Sequence, residues 1–204
     1  MKIAIADDHE LFRMGLKLLL QSIDGCEVVL ETSSGNSLLR QMGDYSLDLL
    51  ILDYSMADGS GLDVLKKLQE SKSAAKAILL TATATNIVLQ QALELGASAL
   101  VAKAGSGEEV LNAVSAIADG ERYISDEFDS LLATQNQLDS LTARETEVLL
   151  KLIEGHSTRV VAEQLSISFK TAETHRTRLM QKLGIHSVAE LMQFAHSSGL
   201  LVSS

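Results

Sequence analysis

The sequence predicts an α/β domain with a doubly wound, five-stranded parallel sheet, followed by a small all-α domain. Short apolar runs alternate with amphipathic stretches over the first 120 residues, whereas only helical periodicity remains after Leu138. The apolar runs are continuous, as expected for strands that are covered on both faces. Five strand–helix repeats of this kind favour a parallel sheet with right-handed crossovers.

The strands and helices of the first domain follow from these runs. Strands are predicted at Lys2–Ala6, Glu27–Glu31, Asp48–Leu52, Ala77–Thr81 and Ala99–Ala102. Helices are predicted at Glu10–Ser22, Gly35–Met42, Leu62–Ser71, Asn86–Leu95 and Gly107–Ala118. In the last helix, Val110, Val114 and Ile117 lie at helical spacing, and Gly120 supplies a stop signal.

The segment 121–137 separates the two domains. It is polar, mixed in charge and weakly periodic, which predicts a linker or a helix leading into one. The predicted domains are therefore residues 1–120 and residues 138–204, with 121–137 as the linker between them.

Capping signals divide the second domain into helices. N-caps are predicted at Thr142, at Ser157 or Thr158, and at Ser168. Thr142 and Glu145 have the spacing of a capping box, and Gly184 is the expected C-terminal stop of the third helix. The four-residue turn Ser166–Phe169 joins the second and third helices as a candidate helix-turn-helix.

Composition and charge narrow the classes of protein that fit. The single cysteine, Cys26, cannot form an internal disulfide, which fits a reducing compartment. No apolar run approaches the ~18 residues that span a bilayer, so we expect a cytoplasmic protein without a membrane segment. The net charge of −10 arises within residues 1–137, since residues 138–204 carry seven acidic and seven basic side chains. A basic surface must therefore be local to the second domain.

Polar and charged residues follow the predicted strands at one edge of the sheet. Asp7 and Asp8 follow the first strand, Asp53 follows the third, Thr81 ends the fourth and Lys103 follows the fifth. The carboxyl ends of parallel strands lie side by side, so these side chains are expected to converge in one pocket. Carboxylates suit Mg²⁺, and an ammonium suits phosphoryl oxygens. The alternative is that each side chain is simply solvated, which five matching positions make unlikely.

Four segments resemble the receiver domain of two-component response regulators, which has a flavodoxin-like fold. They are IADDHELFRMGL, LLILDYSMADGSGLDVL, AILLTATA and ALVAK, and the similarity spans about residues 1–120. The resemblance implies that Asp53 is the phosphoacceptor, with a sensor histidine kinase as phosphoryl donor. It implies that Asp8, Asp53 and the backbone carbonyl of Ser55 hold Mg²⁺, that Asp7 completes the acidic pocket, and that Thr81 and Lys103 contact the phosphoryl group.

The sequence departs from the receiver pattern at several positions. Leu100 stands where receivers carry a Tyr or Phe, so the aromatic part of the activation switch is replaced. Ala57 and Ala104 stand where proline is usual, and the chain contains no proline at all, although average usage predicts about ten. We interpret the chain as a proline-free variant, with an unusual natural composition as the alternative, and expect a trans peptide at Ala104 or a locally rebuilt loop. His9, a possible metal ligand or base, is interpreted as having no catalytic role, because Mg²⁺ prefers oxygen.

The third helix of the second domain has a polar outer face. Residues 168–183 carry four basic side chains and one acidic one. A recognition helix needs basic residues for phosphates and short polar residues for base edges, although an ordinary solvated helix has a similar pattern. The face comprises Lys170, Thr171, Glu173, Thr174, Arg176, Thr177, Arg178 and Lys182.

The motifs of this domain resemble the LuxR-type domain of NarL/FixJ regulators. They are L-T-x-R-E-x-E-V-L, I-S-x-K-T-x-x-T-H-R and K-L-G, and the similarity covers about residues 138–203. The resemblance implies that the outer face binds double-stranded DNA, with Glu173 and Thr174 nearest the bases. It also implies a homodimer contact through the final helix at Val188, Leu191 and Met192. His175 is interpreted as a packing residue.

Together these features predict a transcription factor whose DNA binding is controlled by phosphorylation of Asp53. We expect no enzymatic activity beyond phosphoryl transfer to Asp53 and slow self-dephosphorylation. A phosphatase of the haloacid-dehalogenase type would need a second Asp two residues after the nucleophile, where this chain has Ser55. A regulator that dimerises without phosphorylation remains an alternative because of Leu100.

Overall fold

The computed structural model describes residues 1–82, 85–198 and 200, and it divides the chain into two compact units. The first unit is Met1–Asp129, and the second begins at Ser130. The first unit is a parallel sheet with helices, and the second is helical. Within the described residues, no helix is long and apolar enough to cross a membrane.

The sheet of the first unit is parallel, as predicted, but it has six strands instead of five. The strands are β1 (Lys2–Ala6), β2 (Glu27–Thr32), β3 (Leu49–Asp53), β4 (Ser55–Met56), β5 (Gly59–Ser60), β6 (Lys76–Thr81), β7 (Ala99–Ala102) and β8 (Tyr123–Ile124). Their order in the sheet is β2-β1-β3-β6-β7-β8, and β4 and β5 form a separate antiparallel pair. The five predicted strands are confirmed to within one residue at either end.

The first five helices also follow the predicted periodicity. They are α1 (Glu10–Leu20), α2 (Gly35–Gln41), α3 (Gly61–Glu70), α4 (Asn86–Glu94) and α5 (Gly107–Ala118), with a 3₁₀ turn at Met42–Asp44. Helix α6 (Asp126–Asp139) begins in the first unit and continues into the second. Segment 121–137, predicted as a linker or a helix leading into one, contains β8 and most of α6. It is polar and therefore lacks a clear period, yet Phe128 is only 2% exposed. The peptide bond at Ala104 is trans, since no cis peptide occurs in the described residues.

The register of the sheet brings the strand ends to one edge. Leu52 pairs with Ala6 on one side and with Leu79 on the other, and Thr81 pairs with Ala102. The residues that follow these positions must therefore lie close together. The strands are held rigidly, because Ile51 is fully buried, like the other central side chains of β1, β3 and β6.

The second unit packs its helices around one apolar core. The helices are α7 (Ala143–Ile153), α8 (Thr158–Gln164), α9 (Phe169–Leu183) and α10 (Val188–Ser197). The predicted capping box of Thr142 and Glu145 is confirmed, and Ser157 and Ser168 cap α8 and α9. Gly184 ends α9 with a φ of 68°, a left-handed conformation that glycine adopts without strain.

Candidate functional site

Two buried carboxylates and one ammonium form the centre of the site at the edge of the sheet. Asp7 is fully buried after β1, and Asp53 is 2% exposed at the end of β3. The Lys103 Nζ atom lies 2.7 Å from Asp53 Oδ2 and 2.8 Å from Asp7 Oδ2. One ammonium therefore balances both carboxylates, which would otherwise repel each other in a poorly solvated pocket.

The environment shifts the pKa values of Asp53 and Lys103. Burial raises the pKa of the Asp53 carboxyl, and the hydrogen bond from Lys103 offsets only part of that effect, to which the charge of Asp7 adds. Burial lowers the pKa of Lys103, but its hydrogen bonds to Asp53 and Asp7 outweigh burial, so the net shift is upward. Lys103 therefore holds its proton more strongly than a solvated lysine, and Asp53 is easier to protonate than a solvated aspartate.

Asp8 and His9 extend the cluster toward solvent. The His9 Nδ1 atom lies 2.8 Å from Asp8 Oδ1 and 3.3 Å from Asp7 Oδ1. Ligand atoms of Asp7, Asp8, His9 and Asp53 all lie within 4.8 Å of one another, so this group can hold a metal ion. Three of the four side chains offer carboxylate oxygen, the donor that hard cations prefer.

The remaining predicted residues surround this cluster. Thr81 is buried at the end of β6, and residues 83 and 84, in the loop that follows it, lie outside the described residues. The backbone N–H of Ser55 donates to Asp53 Oδ1 at 3.3 Å. Leu100 is fully buried on β7, so a compact aliphatic side chain fills the position at which receivers carry an aromatic ring.

Two residues of α1 support the site and were missed by sequence reasoning. The Arg13 Nη1 atom donates to the backbone oxygen of Asp7 at 2.6 Å. The ring centre of Phe12 lies 4.8 Å from Lys103 Nζ, a cation–π distance. Neither residue has a sequence signal of its own, because their roles depend on how α1 packs against α5 and β2.

The outer face of α9 is largely exposed, as a nucleic-acid interface requires. The exposed members of the predicted set are Lys170, Thr171, Glu173, Thr174, Thr177, Arg178 and Lys182. Arg176 is half-buried, and its Nη1 atom donates to Thr158 Oγ1 at 3.1 Å. His175 is also half-buried, and its Nδ1 atom has no hydrogen-bond partner among the described residues.

Lys182, predicted to contact DNA, has partners inside the second unit. Its Nζ atom lies 2.7 Å from Glu145 Oε2 and 2.9 Å from the backbone oxygen of Ser140. The hydrogen bond from Lys182, followed by that from the Thr142 backbone, lowers the pKa of Glu145 to about 2. Because these contacts fix its ammonium, we do not include Lys182 in the proposed DNA-binding surface.

The three residues predicted for a dimer contact differ in exposure. Val188 is 51% exposed, whereas Leu191 is 1% exposed and packs in the core of its own unit. Met192 is half-buried. Of the three, only Val188 and Met192 present side-chain surface to a partner.

Two family models match the chain, one in each unit. The response regulator receiver domain matches residues 3–115, and the luxR family of bacterial regulatory proteins matches residues 139–195. The chain is 31% identical to the response regulator UvrY of Escherichia coli (strain K12) over 206 residues, with 97% of this chain and 94% of UvrY covered. It is 33% identical to the oxygen regulatory protein NreC of Staphylococcus aureus (strain JH9) over 215 residues, with 98% and 99% covered.

Solved structures of similar fold cover both units. The chain matches RcsB of Salmonella enterica serovar Typhimurium bound to the promoter rprA, with 27% identity and a TM-score of 0.63, covering 98% of this chain and 99% of RcsB. An RcsB–DNA complex matches with the same identity and TM-score over 97% of this chain and 98% of RcsB. The chain therefore belongs to the NarL/FixJ family of response regulators, which join a receiver domain to a LuxR-type DNA-binding domain.

Proposed function

We propose that this protein is a transcription regulator that is switched by phosphorylation of Asp53. The observation that carries the proposal is the contact of Lys103 with both Asp53 and Asp7 at one edge of the sheet. A sensor histidine kinase is the proposed phosphoryl donor, double-stranded DNA the target, and the cytoplasm the location. We propose a homodimer as the activated form, as RcsB dimers are described on DNA.

The reaction at Asp53 is the transfer of a phosphoryl group from the donor to the carboxylate of Asp53. A carboxylate oxygen of Asp53 forms a bond to phosphorus, and the bond from phosphorus to the donor breaks, leaving the electron pair on the donor. Lys103, which neutralises Asp53 beforehand, then pairs with the phosphoryl oxygens, and Thr81 donates its hydroxyl to them. The proposed activity ends there, apart from slow self-dephosphorylation, so the chain is a regulator and not a turnover enzyme.

Mg²⁺ is the proposed cofactor, and the donor set fits it. Asp8, Asp53 and the carbonyl of Ser55 would hold the ion, with Asp7 completing the acidic pocket. When bound, Mg²⁺ neutralises the charge that develops on the transferred phosphoryl group. Lys103 pairs with Asp7 and Asp53, and Asp8 lies beside His9, so the cluster has an excess of carboxylates that a divalent cation would balance.

DNA binding is assigned to the exposed face of α9. Lys170 and Arg178 are suited to phosphates, and Glu173 and Thr174 to base edges. Arg176, whose guanidinium donates to Thr158, lies at the border of this face and is proposed to contact DNA as well. We assign Val188 and Met192 to the dimer contact.

Phosphate uptake measured by intact mass tests the proposal. The full chain is incubated with acetyl phosphate and Mg²⁺, beside Asp53→Asn and the control Asp58→Asn, which removes a carboxylate outside the site. A gain of one phosphate, about 80 Da for a transferred phosphoryl group, is expected in the unsubstituted chain and in Asp58→Asn. Uptake by Asp53→Asn, or no uptake by the unsubstituted chain, would contradict the assignment.

A regulator that ignores phosphorylation is the second candidate, and Leu100 is the observation that favours it. Receivers carry a Tyr or Phe at this position, whose ring rotates on activation. The fully buried Leu100 has no ring that could make this rotation. This candidate predicts that phosphate uptake leaves the sedimentation behaviour and the DNA affinity of the chain unchanged. A shift toward dimer that follows phosphate uptake would exclude it.

A further inference from the structure

A fully buried serine joins the strand that leads to Lys103 to the beginning of α6. Ser125 is 0% exposed, and its backbone N–H donates to Leu100 O at 2.9 Å. Its hydroxyl accepts from the Ala102 N–H at 3.1 Å and donates to Glu109 Oε2 at 2.7 Å. Its carbonyl accepts hydrogen bonds from the N–H groups of Phe128 and Asp129. These bonds form the first turn of α6.

The Ser125 hydroxyl extends the hydrogen bonding between β7 and β8 beyond the point where backbone pairing ends. The pairing of β7 with β8 ends at Leu100 and Ile124, because the chain turns into α6 at Ser125. The Ala102 N–H lies one step beyond this pairing and takes the hydroxyl as its acceptor. The single hydroxyl proton is then used on Glu109, so both hydrogen-bonding capacities of this buried group are satisfied.

Glu109 brings the loop after Lys103 into the same network. It lies in the first turn of α5, and a Cβ placed on Gly105 would lie 2.6 Å from its Oε2 atom. The carboxylate therefore rests directly against the loop. Lys103 itself is held by its backbone N–H, which donates to Thr81 O at 2.8 Å, so the network reaches both residues assigned to the phosphoryl group.

We propose that Ser125 and Glu109 are positioning residues of the phosphoacceptor site, which aim Lys103 at Asp53 and report its position to the start of α6. This inference rests on the proposed function. Phosphorylation replaces the carboxylate partner of Lys103 with phosphoryl oxygens, which displaces the ammonium and the backbone behind it. Ala102, next to Lys103, transmits the displacement through the Ser125 hydroxyl, and α6 continues from there past Asp129 into the second unit.

The test compares Ser125→Ala, Glu109→Ala and Glu109→Gln in the full chain. Glu109→Gln keeps an oxygen that accepts from Ser125, and Glu108→Ala is the matched control, because Glu108 is an exposed neighbour in the same helical turn. The initial rate of phosphorylation by acetyl phosphate with Mg²⁺ is measured by intact mass. Hydrogen exchange of residues 126–139 is measured before and after phosphorylation, and thermal unfolding establishes that each variant is folded.

Ser125→Ala and Glu109→Ala are expected to phosphorylate about fivefold more slowly, the scale of one lost hydrogen bond. Glu109→Gln and Glu108→Ala should stay within about twofold of the unsubstituted chain. Phosphorylation should change exchange in residues 126–139 of the unsubstituted chain, and this change should be absent in Ser125→Ala. Glu109→Ala provides the same comparison if Ser125→Ala does not fold, since Glu109 is only half-buried.

A merely structural role would lower thermal stability and leave the rate and the exchange response intact, and that result would overturn the inference alone. Absence of phosphate uptake by the unsubstituted chain would overturn the proposed function and this inference with it. The two failures are therefore distinguishable in one set of measurements.

Discussion

Two aspartates, Asp53 at the end of β3 and Asp58 in the turn between β4 and β5, are expected to affect stability in opposite directions. Asp53 is buried, and burial raises its pKa, so its charged form costs folding energy at neutral pH. Asp58 is exposed and accepts hydrogen bonds from the N–H groups of Gly35 and Asn36. Desolvation is the largest single influence and raises the pKa of Asp58, but its hydrogen bonds together outweigh desolvation and lower the pKa. The charged form of Asp58 therefore favours the fold.

Replacing each aspartate by asparagine tests this contrast. Asp53→Asn is expected to raise the free energy of unfolding at pH 7, by about 1 kcal/mol, and Asp58→Asn to lower it. The Asp53→Asn difference should shrink as the pH falls toward 3.8, the ordinary value of the carboxyl, and the Asp58→Asn difference should shrink as the pH falls below that value. The raised pKa of Asp53 means that protonation restores stability to the unsubstituted chain, whereas protonation of Asp58 removes its contribution.

Tyrosine fluorescence during denaturation measures this effect in the first unit. The three tyrosines, Tyr45, Tyr54 and Tyr123, all lie within Met1–Asp129. Equal effects of the two substitutions, or an Asp53→Asn difference that grows at low pH, would contradict the assigned cause.

The ion pair of Glu145 and Lys182 predicts acid sensitivity in the second unit. The pKa of Glu145, about 2 in the folded chain, lies below its unfolded value, so its stabilisation is present above about pH 4.5 and lost as the pH falls toward 2. Glu145→Gln should lower the stability of this unit by about 1–2 kcal/mol at pH 7. Hydrogen exchange in α9 measures this loss of stability, with Glu147→Gln at an exposed position as the control. A similar loss of stability in both variants would argue against a stabilising pair of Glu145 and Lys182.

At this scale, the sequence located the site but not the partners of each side chain. Matching strand ends place Asp7, Asp53 and Lys103 at one edge, because parallel strands share a direction. Periodicity shows only that a side chain faces outward from its own helix. It therefore could not distinguish Arg178, which is exposed, from Lys182, which pairs with Glu145 on α7.

Helix α9 has a face proposed to bind DNA and a lysine, Lys182, that pairs with Glu145 of α7. One substitution at Arg178 and one at Lys182 test these two roles separately. Arg178→Ala is expected to weaken DNA binding at every sequence and to reduce the salt dependence of log K by about one. Lys182→Met should mainly lower the protection of α7 and α9 against hydrogen exchange. Electrophoretic titrations at several salt concentrations, with Lys151→Ala as a basic control on α7, measure the first effect. A larger loss of salt dependence in Lys182→Met than in Arg178→Ala would reverse the assignment.

The elements also show where sequence periodicity ends. All strands with four or more residues were predicted, because continuous apolar runs mark them. The two-residue strand β8 was not predicted, since Tyr123 and Ile124 are too few to show a period, and helix α6 was predicted only as one of two alternatives for segment 121–137. Their positions depend on long-range contacts with β7, such as that of Ser125 with Ala102.

For the whole molecule, the absence of proline predicts simple refolding. No X–Pro bond exists in the sequence, so no slow phase of tens of seconds from proline isomerisation is expected. Refolding followed by tyrosine fluorescence, with and without prolyl isomerase, measures this. A slow phase accelerated by the isomerase would contradict the sequence as determined.

The two units differ in net charge, which shapes how the whole chain meets DNA. Residues 1–137 carry the entire net charge of −10, so the proposed binding of DNA by the face of α9 takes place against an acidic background. Such binding is sensitive to salt and to any change in the acidic unit. Phosphorylation at Asp53 adds further negative charge, so stronger binding on phosphorylation cannot come from net attraction and must come from a change in assembly or conformation.

DNA affinity with and without phosphorylation is the measurement that tests the central claim most directly. Fragments selected from a random pool by the phosphorylated chain are titrated with phosphorylated and unphosphorylated protein, and with Asp53→Asn, at one salt concentration. The account predicts tighter binding by the phosphorylated chain and the same weak binding by the unphosphorylated chain and by Asp53→Asn treated with acetyl phosphate. Equal affinity of all three for the selected fragments would show that Asp53 does not control the output, and would favour the regulator that ignores phosphorylation.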